Sequence, residues 1–108
     1  MPSVNCVRPA IWDKETVIDL YDNGYYSAVW GSREKEPRSL GVRWNGDQSY
    51  VGYPNQGRNP VWYSEPAFLE HAILSALLEN AKRLSGHPRR DEFISNILTA
   101  LTECGDQR

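Results

Sequence analysis

The sequence predicts an α+β domain: an antiparallel β-meander of four to five strands, followed by two helices packed on one face of the sheet. Three observations predict it. Short runs of aromatic and β-branched residues fill the first half, broken by Asn-Gly turn signals. Apolar residues in the second half recur at three- and four-residue spacing. The strand and helix patterns are segregated along the chain rather than interleaved. At 108 residues the chain reads as a single domain, 1–108, with strands over about 16–63 and helices over about 65–84 and 89–104.

TVIDLY (16–21) alternates Thr16, Ile18 and Leu20 against Val17, Asp19 and Tyr21. Asp22-Asn23-Gly24 then tolerates the positive φ that a tight turn needs, and YYSAVW (25–30) returns as the second strand. GSREKEPR (31–38) is a polar loop. SLGVRW (39–44) is the third strand, with Leu40, Val42 and Trp44 on one face and Gly41 and Arg43 on the other. Asn45-Gly46-Asp47 turns the chain into QSYVGY (48–53), which loses its register near Gly52 and Pro54 because proline cannot donate to a ladder. PVWY (60–63) reads as a short fifth strand or an extended lead-in.

Ser64 is positioned to cap the first helix, with Glu65 and Pro66 in its first turn. Phe68, Leu69, Ala72, Ile73, Ala76, Leu77, Ala81 and Leu84 form its expected inner face. Ser85-Gly86 and Pro88 end it. The second helix turns Phe93, Ile94, Ile97, Leu98, Leu101 and Cys104 inward, and Gly105 stops it.

Composition narrows the function. A net charge of −2 argues against nucleic-acid binding by bulk charge. Cys6 and Cys104 show no CxxC spacing. No run reaches the roughly 18 apolar residues of a membrane span, and MPSVNCVRPAIW has no apolar leader core. The expectation is a soluble cytoplasmic protein with reduced thiols, Cys104 being a buried small hydrophobe.

No cofactor, metal or catalytic constellation is expected. His71 and His87 sit outside any ligand pattern, no serine stands in GxSxG, and glycines 41, 46, 52 and 57 form no phosphate loop. The pairs Asp13/Glu15 and Glu34/Glu36 have cationic neighbours and read as solvated. KRLSGHPRR (82–90) could touch a phosphate at a helix N-terminus, or could serve the dipole of the first helix and a solvated turn.

One stretch stands apart. GYPNQGRNPVWY (52–63) concentrates amides, prolines, an arginine and aromatics, and the Asn45-Gly46 turn brings it near GVRWNG (41–46). The candidate binding residues are Arg43, Tyr53, Asn55, Gln56, Arg58 and Trp62, with Trp44, Asn45, Asn59 and Tyr63 beside them. Planar rings, guanidinium groups and amides are what recognition surfaces use. Proline–aromatic packing and ordinary turns account for the same residues, and Trp44 shares the apolar face of its strand. Arg43, Gln56 and Arg58 are the members expected to be exposed.

RSLGVRWNG, GYPNQG and PVWY resemble a block found in small uncharacterised bacterial proteins of the mobile-gene-cassette kind, over residues 38–63. The resemblance implies a small bacterial protein with an accessory or defence-type interaction role. It carries over no residue role.

The leading expectation is a binding module without catalysis, recognising a protein or peptide through the surface around 43–62. A homodimer is compatible, because a meander leaves an edge strand to be paired or guarded. A nucleic-acid binder stacking on Tyr53 and Trp62 with Arg43 and Arg58 is the alternative. A second alternative is an anionic-ligand protein or enzyme with a pocket between sheet and loop.

Overall fold

The computed structural model describes residues 12–46, 49, 52–56, 59–60 and 62–106, with backbone alone at 55–56, 59–60 and 105–106. A 3-10 turn at Lys14–Thr16 leads into β1 (Ile18–Asp22), β2 (Tyr26–Gly31), β3 (Ser39–Trp44), β4 (Asn55–Gln56), β5 (Asn59–Pro60) and β6 (Tyr63–Ser64). Helices α1 (Ala67–Lys82) and α2 (Arg90–Asp106) follow. Four strands make one antiparallel sheet in the order β1-β2-β3-β6, and β4 pairs with β5 separately. The fold is α+β, as the sequence predicts.

The first hairpin is built by its turn side chains. Asp22 Oδ1 accepts the Gly24 N–H, and Asn23 Oδ1 accepts those of Tyr25 and Tyr26, each at 2.9 Å. The alternation expected for β1 is broken by a bulge. Asp19 pairs with Val29 and Tyr21 with Ala28, so Leu20 is extra. Leu20 and Tyr21 therefore both enter the main core, which strict alternation forbids.

That core lies between one sheet face and the helix pair. Leu20, Trp30 and Leu40 meet Leu74, Phe93, Ile97 and Cys104 there, all fully buried. Cys104 is the buried hydrophobe that the sequence predicts; Cys6 lies outside the described residues.

The first helix departs from expectation in start and rotation. Ser64 is no cap: it pairs with Gly41, and the Glu65 N–H donates to Leu40 O at 3.0 Å. These backbone groups serve the sheet, so the helix begins only after Pro66. The buried stripe is Glu70, Leu74, Leu77 and Ala81. Phe68, Leu69, Ala72 and Ala76 face solvent, Phe68 at 74 % exposure. The anchor is polar: Glu70 Oε2 accepts the Leu40 N–H at 3.2 Å, and apolar periodicity cannot register it. In α2 the inner face is Phe93, Ile97, Ala100 and Cys104, while Leu98 is 50 % exposed.

Long-range polar contacts fasten α2 to the sheet. Glu103 accepts from Arg38, and from Trp30 Nε1 at 2.8 Å. Arg38 holds the Glu103 carboxyl below its usual range. Arg89 pairs with Asp19 at 2.8 Å and Glu92 at 2.7 Å, and Asn96 Nδ2 donates to Asp19 O at 2.8 Å. Arg90 Nε donates to Lys82 O at 3.2 Å. Arg89 and Arg90 thus have structural partners, which accounts for these two side chains without a phosphate.

The opposite sheet face is covered too. Trp12, Val29 and Trp62 form a second apolar cluster, with Val17 against it. Gly41 permits this approach, since a Cβ there would lie 2.9 Å from Trp12 Cη2 and 3.3 Å from Trp62 Cβ. No helix among the described residues is long and apolar enough to cross a membrane.

Candidate functional site

The strand register brings four aromatic rings together. Tyr26 lies opposite Trp44, and Tyr63 opposite Val42. Tyr53 joins from beyond the second turn: the Trp44 N–H donates to Tyr53 O at 2.7 Å, and the Tyr53 N–H to Trp44 O at 3.0 Å. Residues directly paired across strands point to the same face. All four rings therefore lie on the helix-bearing face, at the end the helices leave open.

There Trp44 is 56 % exposed, Tyr53 59 % and Tyr63 49 %. Tyr26 is half-buried and meets the Trp44 ring edge-on, with centroids 4.8 Å apart and planes at 67°. The rings border a recess of about 360 Å³, which Pro54 and Glu65 also line, with Val42 and Arg43 completing the wall. The Tyr26 phenol is pushed above its ordinary pKa, first by burial and then by the negative charge of Glu65. Glu65 thus acts electrostatically within the recess.

Arg43 corrects the expectation most sharply. It is 1 % exposed rather than a surface contact. Its face of β3 is covered by Trp12 and Trp62 near Gly41, and the segment at 52–54 crosses its guanidinium. Nη1 donates to Pro54 O at 3.3 Å. Gly52 has φ +88°, and a Cβ there would sit 2.6 Å from Arg43 Nη2 and 2.0 Å from Trp44 O. Arg43 braces the segment that presents Tyr53.

The other candidates divide. Tyr53 stands at the recess. Trp62 is 6 % exposed and belongs to the second cluster. Asn45 is buried, accepting from Ser27 Oγ at 2.5 Å and donating to Asp22 Oδ1 at 3.2 Å. Asn55 and Gln56 contribute backbone to β4, their side chains lying outside the description, as Arg58 does entirely. Trp44 is on its predicted face but outside the core. Tyr26 and Glu65 are site residues that sequence reasoning passed over, because neither belongs to the 41–46 or 52–63 stretches that drew attention.

The larger trough, about 500 Å³, runs along α2 between Asp91 and Thr102. All its lining residues come from one helix, and Thr99 and Thr102 spend their hydroxyls on Ser95 O and Leu98 O. It gathers no converging groups and is a helix surface. Among the described residues no cluster of His, Cys, Asp and Glu could hold a metal. His87 Nδ1 accepts the Arg89 N–H at 3.0 Å, a turn role.

No protein-family model matches the chain, and neither the curated proteins nor the solved structures compared with it return a match.

Proposed function

We propose that this protein is a small cytoplasmic interaction module, without catalysis, that recognises a peptide segment of a protein partner at the Tyr26–Trp44–Tyr53–Tyr63 recess. One observation carries the reading: three large rings, each about half exposed, converge on one recess instead of being scattered. Rings of this kind offer wide contact area at little entropic cost, and binding energy concentrates on them. The gene-cassette resemblance over 38–63 is in keeping with an accessory role.

The alternatives are less well supported. Nucleic-acid stacking keeps its rings but loses Arg43 as a phosphate contact, since that side chain is buried against Pro54 O. An anionic ligand loses the same cation and meets Glu65. Dimerisation through the β1 edge is disfavoured, because Asn96 already occupies Asp19 O and the bulge bends the strand.

The test is a peptide-display selection on the wild-type protein, rescreened with Trp44→Ala and Tyr63→Ala. Enriched peptides should lose about tenfold or more in affinity with either variant. Selection that yields only peptides indifferent to both variants overturns the reading. Ring-dependent binding of single-stranded oligonucleotides alone would transfer the site to the nucleic-acid alternative.

A further inference from the structure

The hydrogen-bonding character of the recess narrows its ligand. Trp44 Nε1 can only donate, and the phenol O–H groups of Tyr53 and Tyr63 are good donors. Among the described residues none of the three makes a side-chain hydrogen bond, so all remain available at the rims of exposed rings. The ligand complementary to ring faces edged with donors is apolar, flat-sided and rich in carbonyl acceptors. It also has few N–H groups to leave stranded when water is displaced.

Charge narrows it again. Among the described residues, those that line the recess and carry charge are Arg43 and Glu65, opposite in sign. Arg43 is buried and held by Pro54 O, whereas Glu65 is only part-buried. With the Arg43 side chain on the opposite face of the sheet, the accessible charge that the described residues bring to the recess is that of Glu65, and it is negative. That suits a mainly uncharged segment carrying a basic residue, and it disfavours an acidic one.

Proline-rich chain in the polyproline II conformation meets both conditions. Its prolines lack N–H groups, its carbonyls are unused internally, and its rings pack on aromatic faces. It is already stiff, so docking on an open recess costs little ordering entropy. The Tyr26–Trp44 edge contact and the two backbone bonds between Trp44 and Tyr53 hold the receiving rings in place beforehand.

We infer that the recess receives a proline-rich, polyproline II segment of a partner, its rings packing on Trp44, Tyr53 and Tyr63 while Glu65 selects a flanking arginine or lysine. This rests on the interaction role proposed above.

The experiment titrates the full chain with three blocked peptides, followed by tryptophan fluorescence and calorimetry. One is an oligoproline with a terminal arginine, one an oligoproline with a terminal glutamate, and one an alanine–glycine peptide with the same arginine. The arginine oligoproline should bind tightest, and Trp44→Ala and Tyr63→Ala should each weaken it about tenfold or more. Glu65→Gln should erase the few-fold preference for arginine over glutamate. Circular dichroism of each variant checks that it is folded, and Trp44→Phe keeps a ring should the alanine variant unfold. No binding of either oligoproline, or equal binding of the alanine–glycine peptide, overturns the inference. If displayed peptides of other composition still bind in a ring-dependent way, the interaction role stands without it. If none does, both fall.

Discussion

At one end of the helix-bearing sheet face, Leu20, Trp30 and Leu40 are fully buried under α1 and α2; at the other, Trp44, Tyr53 and Tyr63 stand about half in solvent. Both sets are large side chains with broad apolar surface, and Leu40 and Trp44 belong to one strand. What differs is cover. The helices span only part of the face, and the aromatic surplus collects beyond them. Apolar character thus predicts which face a residue takes, while the reach of the neighbouring layer decides whether it is core or surface. Arg43 gives the converse: a charged side chain on the face without helices is buried because other chain segments cover it.

The largest break should come at the covered end. Trp30→Ala removes a fully buried ring and the donor to Glu103, so it should cost about 3–5 kcal/mol in chemical denaturation. Arg43→Ala should cost about 2–3 kcal/mol, because it leaves Pro54 O without its donor and a gap under the 52–54 segment. An unchanged melting temperature for Arg43→Ala would show that the guanidinium braces nothing.

Acid should loosen the α2 attachment before it touches the aromatic end. Arg38 lowers the folded pKa of Glu103, and Arg89 lowers that of Glu92. A lowered folded value means that the stabilisation is complete above the unfolded carboxylate pKa. It is lost as pH falls through the folded values. Melting temperature should hold steady down to about pH 5 and fall below about pH 4. Glu103→Gln should flatten part of that fall; an unchanged slope would remove Glu103 from the attachment. The smallest effect belongs to the open end. Trp44→Ala and Tyr63→Ala should shift stability by about 0.5 kcal/mol or less. A loss of several kcal/mol at either would make the rings packing elements rather than a docking surface.

Turn chemistry and segregated periodicity were enough to read the first hairpin, the helix pair and the span of β3. Of the expected fourth strand at 48–53, residues 48, 50 and 51 lie outside the described residues and Tyr53 makes only an isolated bridge to Trp44, so the fourth place in the sheet falls to Tyr63–Ser64. They failed where a polar group set the geometry. The Glu70 carboxylate fixed the rotation of α1, and the Glu65–Leu40 backbone bond delayed its start. Of the site, Tyr53 was legible, and Trp44 and Tyr63 were noticed beside it. Tyr26 entered through cross-strand register, which the polar 31–38 loop does not encode.

The Glu103 contacts also bear on the order of events during synthesis. Trp30 finds its carboxylate 73 residues further along the chain, and Asp19 meets Asn96 across 77. Until α2 has left the ribosome, the meander has an unguarded β1 edge and an uncovered Trp30. Such distant closures slow folding and leave the early chain prone to wrong pairings, so completion of this sheet waits on α2.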